Sequence, residues 1–399
     1  MRAVVGCRFL LYKTRMCMGH PSEKIDRPDD GENYATDDWS RDMVEQKLKT
    51  KWMIYGANGY SAQLALAKAI NQGLTPVLAG RNKAAIDALA RGHDLETRIF
   101  DLTNIDHVAA QLSDVKMVSH CAGPFSATAE QMMRACIKAG THYTDITGEV
   151  SVFDTAQTLH DEALEAGVIL CPGVGFDVIP TDCVAGVLYE AMPDATHLTL
   201  GFAGNASLSQ GTAKTSVEAL GDGMKIRRDG KLITVGRGYK MRQIDYGNGP
   251  VLSSVIPWGD LSTAYWQTKI PNISVYTSHS GGRLGVYLFP IVKYLLKLKF
   301  IQNIAKKKIE QSVAGPSKAE RDRADTFVWG EVSNASGTKC VARLRVPNGY
   351  TVTMDGILIT ANHLMGYNGP GGCVTPSQML GNRLAEKLPG AGKIEISEL

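Results

Sequence analysis

Gly56 and Gly59 stand three residues apart in MIYGANGYSA (53–62), and Ala62 follows after three more. Chemistry in such a stretch comes from the backbone. A first glycine permits a tight turn, a second lets the main chain approach a pyrophosphate, and a small third residue lets a helix pack closely on a strand. The N–H groups that open the helix then face the anion, and the helix dipole favours it. Further on, PVLAGRN ends an apolar run on Arg81 and Asn82, with no acid before Asp87. An acid at that point would accept from ribose hydroxyls and repel a 2′-phosphate. A guanidinium instead grips the phosphate through two charge-assisted bonds, which selects NADP(H) over NAD(H).

Asp101 ends the third apolar run, where an adenine edge would lie, and Cys121-Ala122-Gly123-Pro124-Phe125 closes the fourth, where a nicotinamide would pass. His120, just before that loop, reads as a core histidine. The candidate cofactor set is therefore Gly56, Asn58, Gly59, Tyr60, Ser61, Arg81, Asn82, Asp101, Ala122, Gly123 and Pro124.

Hydride transfer to an activated alkene or imine also needs a proton donor or an oxyanion stabiliser opposite the nicotinamide. Tyr143 and Asp145, at the end of the fifth run, are candidates by position. Asp177, in a GFD turn, reads equally as a hinge or a helix cap. Gly211-Thr212 opens a helix whose amides could hold an anion, with capping by Thr212 the plainer reading. Tyr265 and Lys269 form a YxxxK pair, the acid–base pair of short-chain dehydrogenases. There the pair lies much nearer the glycine turn and on a helix of the same domain, whereas here the segment ends at Pro271. The spacing is a coincidence on this reading, although Tyr265 remains a candidate for the substrate pocket.

These residues need a scaffold, and the chain supplies an alternating one. Apolar runs at 52–55, 75–80, 97–102, 116–125, 141–147 and 168–175 read as strands. Between them, 61–71, 83–92, 105–112, 127–140 and 150–167 read as helices. That alternation means a Rossmann-type, doubly wound parallel sheet. After PGVGFDVIP the strands are separated by glycine-rich turns instead (RRDGK, GRG, YGNGP), as in a mixed or antiparallel sheet. The expected strands are HLTLGFAG, LITVG, YKMRQIDY, SVYTS, TFVWGEVSN and CVARLRV. Two helices, MDGILITANHLM and SQMLGNRLAEKL, return to the first domain. The expected division is an arm over 1–50, a dinucleotide-binding domain over 51–176, a substrate or dimerisation domain over 177–350, and the returning helices over 351–399.

Composition narrows the class. A net charge of +3 on 399 residues argues against a nucleic-acid partner. The eight cysteines are scattered, with neither a CxxC pair nor zinc-like spacing, so no metal is expected. In a chain with its own core they read as reduced, buried small side chains, which favours the cytoplasm. Arg8 interrupts the only apolar stretch near the start, so a secretory signal is not expected, and 1–50 reads as a disordered arm. No run of 18 apolar residues is present to span a bilayer. The lysine-rich stretch over 291–309 either touches a membrane surface or packs on its own domain with snorkelling lysines.

GANGYSA, LAGRN, CAGPF, CIKAGTHYTDITGE, PGVGFDVIPTD, GTAKTSVEALGDG, PWGDLSTAYWQTKIPNISVY and GGCVTPSQMLG occur in that order. Together they resemble the saccharopine dehydrogenase-like NADP-binding oxidoreductases, and within them the trans-acting enoyl reductase branch. The resemblance runs from Trp52 to the C-terminus. It implies a Rossmann domain, a second α/β domain on a mixed sheet, NADP(H) and a dimer. It carries Gly56, Gly59, Arg81 and Gly123 onto the cofactor and assigns no catalytic residue. The function expected is NADP(H)-dependent reduction of an apolar unsaturated, carbonyl or imine substrate. The alternative is a cofactor-binding redox sensor or synthase partner without turnover.

Overall fold

The computed structural model describes residues 49–204, 209, 211, 223–236, 239–278 and 315–398. Residues 1–48 of the expected arm, Thr212 with the helix expected there, and the lysine-rich stretch over 291–309 lie outside the described residues.

The chain opens with β1 (Lys51–Tyr55), α1 (Tyr60–Asn71), β2 (Val77–Gly80), α2 (Lys83–Ala90), β3 (Thr97–Ile99), α3 (Ile105–Gln111) and β4 (Val115–His120). It continues through α4 (Ala129–Ala139), β5 (His142–Asp145), α5 (Val150–Thr158), α6 (His160–Glu165) and β6 (Ile169–Cys171). These strands pair in parallel in the order β6-β5-β4-β1-β2-β3, the doubly wound arrangement. Both faces are covered, and the period of two sorts the side chains. Met53 and Tyr55 enter the core on one face, while Trp52 and Ile54 enter the core on the other. The single helix expected over 150–167 is broken at Leu159 into α5 and α6.

Beyond the first sheet, α7 (Ile179–Ala191) leads to β7 (His197–Gly204), β8 (Met224–Arg228), β9 (Lys231–Val235), β10 (Arg242–Asp245) and β11 (Pro250–Val255). Next come α8 (Asp260–Thr268), β12 (Asn272–Ser278), α9 (Lys318–Arg323), β13 (Asp325–Ser333), β14 (Lys339–Pro347) and α10 (Gly349–Met365). The second sheet runs β10-β11-β12-β7-β13-β14, and β8 pairs with β12 and β9. It is mixed, because β12 and β7 pair in parallel while the other neighbours are antiparallel. Its inner face, with Leu200, Val275, Val328 and Leu344, buries α7 almost completely.

The C-terminal segment returns to the first sheet. α10 lies on α1, where Lys68 pairs with Asp355. A two-residue strand, β15 (Gly372–Cys373), then adds a parallel seventh strand beside β6. The helix expected over 377–388 is shorter: α11 (Pro376–Leu380) ends at Gly381, and a 3-10 turn follows at Leu384–Lys387. The last strand, β16 (Glu395–Glu398), extends the second sheet beside β14. Runs 224–228, 250–255, 372–373 and 395–398 are strands that the alternation did not announce. The last two are short, and β16 is exposed throughout, so neither carries an apolar pattern.

Candidate functional site

At the carboxyl end of β1 the chain turns through Gly56 with φ of +78°. The turn is fixed from β2, since Gly56 N and Ala57 N both donate to Ala79 O, at 2.8 and 3.2 Å. A Cβ on Gly56 would lie 2.8 Å from the Ala122 backbone nitrogen and Cβ, so the loops after β1 and β4 touch only because Gly56 has no side chain. Gly59 caps α1 without any side-chain hydrogen bond, and the first turn of α1 holds no acid. The N–H groups of Tyr60, Ser61 and Ala62 are thus left for an external acceptor. Ala62 is fully buried, as close packing of α1 on the sheet requires.

Arg81 and Asn82 follow β2 and are exposed. Asn82 spends its side-chain oxygen on capping α2, accepting from Ala85 N at 3.2 Å. No carboxylate pairs with Arg81 among the described residues, and the next acid, Asp87, is held by Lys83 at 2.7 Å. Asp101 is exposed after β3, and its Oδ1 accepts from Thr103 N and Oγ1 at 2.9 and 2.6 Å. Those bonds hold its carboxyl below the ordinary range, with a smaller contribution from Arg81. Asn58 is exposed, while Tyr60 and Ser61 are half-buried.

The loop after β4 is tied from several sides. Cys121 N donates to Tyr55 O at 2.8 Å, Thr128 Oγ1 reaches Ala122 O at 2.8 Å, and the Gly123–Pro124 peptide is cis. Glu149 accepts from Phe125 N and Ser126 N at 2.9 and 2.8 Å, one backbone donor to each carboxylate oxygen. Gly123 and Pro124 are exposed, and Ala122 is half-buried. His120 is fully buried beside this loop, with Nε2 against Thr128 Oγ1 at 3.0 Å and Nδ1 without a partner. Burial pushes its pKa down to about 3, so its ring is neutral.

Of the acid–base candidates, Tyr143 and Asp145 have almost no surface, at 0% and 1% exposed. The Tyr143 hydroxyl donates to Asp145 Oδ2 at 2.6 Å. Asp145 Oδ1 accepts from Thr147 N and Gly173 N at 3.0 and 2.8 Å. Burial pushes the Asp145 carboxyl up to about 6 even with those three donors. The pair has no face through which to meet a substrate, and it braces the loops after β5 and β6. Thr147 Oγ1 in turn accepts from Glu149 N at 3.0 Å, so the bracing reaches the loop after β4. Tyr265 lies elsewhere, between the Arg227 guanidinium at 4.2 Å and Lys269 Nζ at 5.5 Å from its ring centre, against the turn at Gly230. Tyr143 and Asp145 are therefore brought together, and Tyr265 is not brought to them.

Asp177 occupies the position those candidates leave open. It follows β6, is half-buried, and makes no hydrogen bond among the described residues. Its Oδ2 packs on Gly148, where a Cβ would come within 2.8 Å. Burial, and secondarily the nearby Glu149 carboxylate, push Asp177 up to about 7. Beside it Phe176 meets Phe202 edge-on at 5.4 Å, and Phe202 meets Trp258 at 5.0 Å, all three half-buried. Two residues beyond Trp258, Asp260 is fully buried without a hydrogen-bond partner, and burial raises its pKa well above the ordinary range. Sequence reasoning missed Glu149, because nothing local links it to backbone 24 residues earlier. Asp177 was named from its GFD turn, with a hinge or a helix cap as the plainer reading, and it follows β6 at the carboxyl edge of the parallel sheet.

A parallel sheet ordered about β1 and β4, with an uncapped helix behind a glycine turn at the switch point, defines a Rossmann-type dinucleotide-binding protein. Residues 52–171 match the saccharopine dehydrogenase NADP binding domain. The site fits that cofactor: the cradle at Gly56 and α1 suits a pyrophosphate, and the unpaired Arg81 suits a 2′-phosphate. NADP(H) is its dinucleotide.

A saccharopine dehydrogenase-like oxidoreductase of Mus musculus is 26% identical over 207 residues, 49% of this chain and 44% of that protein. A putative trans-acting enoyl reductase of Mycobacterium tuberculosis is 23% identical over 403 residues, 85% of this chain and 95% of that protein. Saccharopine dehydrogenase (L-Glu forming) of Saccharomyces cerevisiae has the same fold, with a TM-score of 0.60 at 13% identity over 88% of this chain and 100% of that one. The match spans less than half of the murine relative's length. No helix among the described residues is long and apolar enough to cross a membrane.

Proposed function

We propose that the protein is an NADP(H)-dependent reductase that delivers hydride to an apolar substrate bearing an activated alkene, carbonyl or imine. The observation that carries this reading is Asp177, an unbonded carboxyl with a pKa near 7, set between the loop braced by Glu149 and the Phe176–Phe202–Trp258 rings. When bound, NADPH supplies the hydride. Gly56, Gly59 and the first turn of α1 would hold its pyrophosphate, and Arg81 its 2′-phosphate. The brace from Tyr143 through Asp145, Thr147 and Glu149 keeps the loop after β4 in place. Asp177, protonated in about half of the molecules at neutral pH, gives its proton to the atom that becomes electron-rich as hydride arrives. The aromatic rings supply an apolar wall. The name of the mycobacterial relative, an enoyl reductase, supports an alkene acceptor.

Nicotinamide absorbance, followed with NADPH against a panel of aliphatic enones, enoyl thioesters and cyclic imines, tests the reading. Turnover is expected with at least one apolar acceptor. NADPH binding without oxidation by any of them would leave a cofactor-binding sensor or partner subunit as the better account. We also propose a cytoplasmic protein, in keeping with the six described cysteines, which are all unpaired, and a homodimer, as the family resemblance implies. Sedimentation equilibrium checks the oligomer.

A further inference from the structure

Tyr60 is the first residue of α1, and its side chain does not face open solvent. Its hydroxyl donates to Pro316 O and accepts from Arg321 Nη1 at 2.8 Å. Arg321 Nη1 also donates to Pro316 O at 2.9 Å. A segment 256 residues beyond Tyr60 is thereby tied to the first residue of α1. Its helix, α9, has a full capping box between Ser317 and Glu320.

The charges of this segment are unequal in their partners. Glu320 is committed to Ser317 N at 2.7 Å, and Asp322 is taken by Lys318. No acid of α9 is left for Arg321, and no carboxylate pairs with it among the described residues. Arg321 is half-buried, unlike its exposed neighbour Arg323. A cation held part-way out of water without a counter-ion is costly unless an anion arrives. Around it, the first turn of α1 has no acid and its N-cap no side-chain bond, so the helix end asks for negative charge as well.

We infer that Arg321 is a second cationic clamp on the cofactor, contributed by α9 and closing on the pyrophosphate from the side opposite the glycine turn. This rests on the nucleotide reading of that turn. A planar guanidinium with donors to spare after its bonds to Tyr60 and Pro316 suits phosphate oxygens. The clamp differs from Arg81 in what it reads. Arg81 meets the 2′-phosphate that NADP has and NAD lacks, whereas both dinucleotides carry the pyrophosphate. Arg321 therefore sets affinity for both, and Arg81 sets the preference between them.

Fluorescence titration of the full chain with NADPH and with NADH, at several salt concentrations, tests this on Arg321→Ala, Tyr60→Phe and Arg323→Ala. Arg321→Ala is expected to weaken both nucleotides alike, by roughly tenfold or more as for one charge-assisted bond. It should also flatten the salt dependence of binding. Tyr60→Phe, which removes the tie but keeps the charge, should cost less than Arg321→Ala, and Arg323→Ala should cost nothing. The inference is overturned if Arg321→Ala binds NADPH within twofold of the wild type. It is equally overturned if Tyr60→Phe and Arg321→Ala weaken binding to the same extent with unchanged salt dependence, because Arg321 would then only fasten the segment. Failure of the wild type to bind either nucleotide would instead bring down the reading of the glycine turn, and this inference with it.

Discussion

At the glycine turn, the contacts that shape the backbone join neighbouring strands of one parallel sheet. Gly56 N and Ala57 N reach Ala79 O after one βα unit, and Cys121 N reaches Tyr55 O across the adjacent strand pair. The proposed substrate wall is assembled differently. Phe176 comes from the loop after β6, Phe202 from β7 and Trp258 from the lead into α8, and the three meet only through their rings. Asp177 rests on Gly148, and the loop nearby is braced through Glu149. The cofactor end is thus a consequence of strand order and helix termini. The other depends on how a mixed sheet is laid against a parallel one. The difference predicts a division of labour: substitutions at the first end act on affinity and folding, while those at the second act on turnover.

Asp177→Asn tests that division with the largest expected effect. The amide keeps the shape and loses the proton, so kcat/KM should fall by about 10²–10⁴-fold, the usual range for a general acid. NADPH affinity should be unchanged. For the wild type, kcat/KM should be level below pH 7 and fall as pH rises through about 7, where the carboxyl ionises. Stability has the same direction. The folded pKa is raised above the ordinary 3.8, so the contribution of the protonated form is complete below pH 3.8 and is lost as pH climbs to about 7. Asp177→Asn should abolish that loss. If the variant retained turnover and the pH profile, Asp177 would be a packing residue of the wall.

Gly56→Ala addresses the cofactor end. A residue other than glycine at φ of +78° costs roughly 1–2 kcal/mol. The added methyl must also displace Ala122, whose backbone nitrogen would lie 2.8 Å away, and overpacking of that kind costs about 1–3 kcal/mol more. Urea unfolding should therefore show a loss of about 2–5 kcal/mol, summing those two ranges, and NADPH binding should be lost through movement of the loop after β4. A variant with wild-type stability and affinity would mean that the two loops are not in contact.

The same contrast explains what the amino-acid sequence disclosed. The glycine turn, Arg81 and the alternation of strands and helices are local patterns, and their geometry follows from neighbours along the chain. Tyr143 and Asp145 were placed at the correct strand end, but strand position does not say whether a side chain points to the crevice or lies within the core. Both are buried, and their hydrogen bonds support Glu149 instead. Tyr265 carried a motif whose spacing was met without its geometry, since its ring is occupied by Arg227 and the turn at Gly230. The break at Leu159 was hidden because α5 and α6 continue one another's polar and apolar residues without glycine or proline. Arg321 was beyond reach altogether, because nothing near it in the chain connects α9 with Tyr60.

Arg81→Ala carries the smallest expected effect and the sharpest. The side chain is exposed and unpaired among the described residues, so its removal should leave stability within about 0.5 kcal/mol, as for surface positions generally. One charge-assisted bond to a 2′-phosphate contributes roughly 1.5–3 kcal/mol, so NADPH should weaken by about ten- to hundredfold. NADH, which has no phosphate there, should hardly change. Titration of both nucleotides reads the ratio directly, and the ratio cancels anything the substitution does to the glycine turn. A ratio unchanged by Arg81→Ala would move the 2′-phosphate away from the end of β2. The preference would then have to come from a residue that the sheet does not place, and the cofactor end would depend on tertiary contacts as much as the substrate wall does.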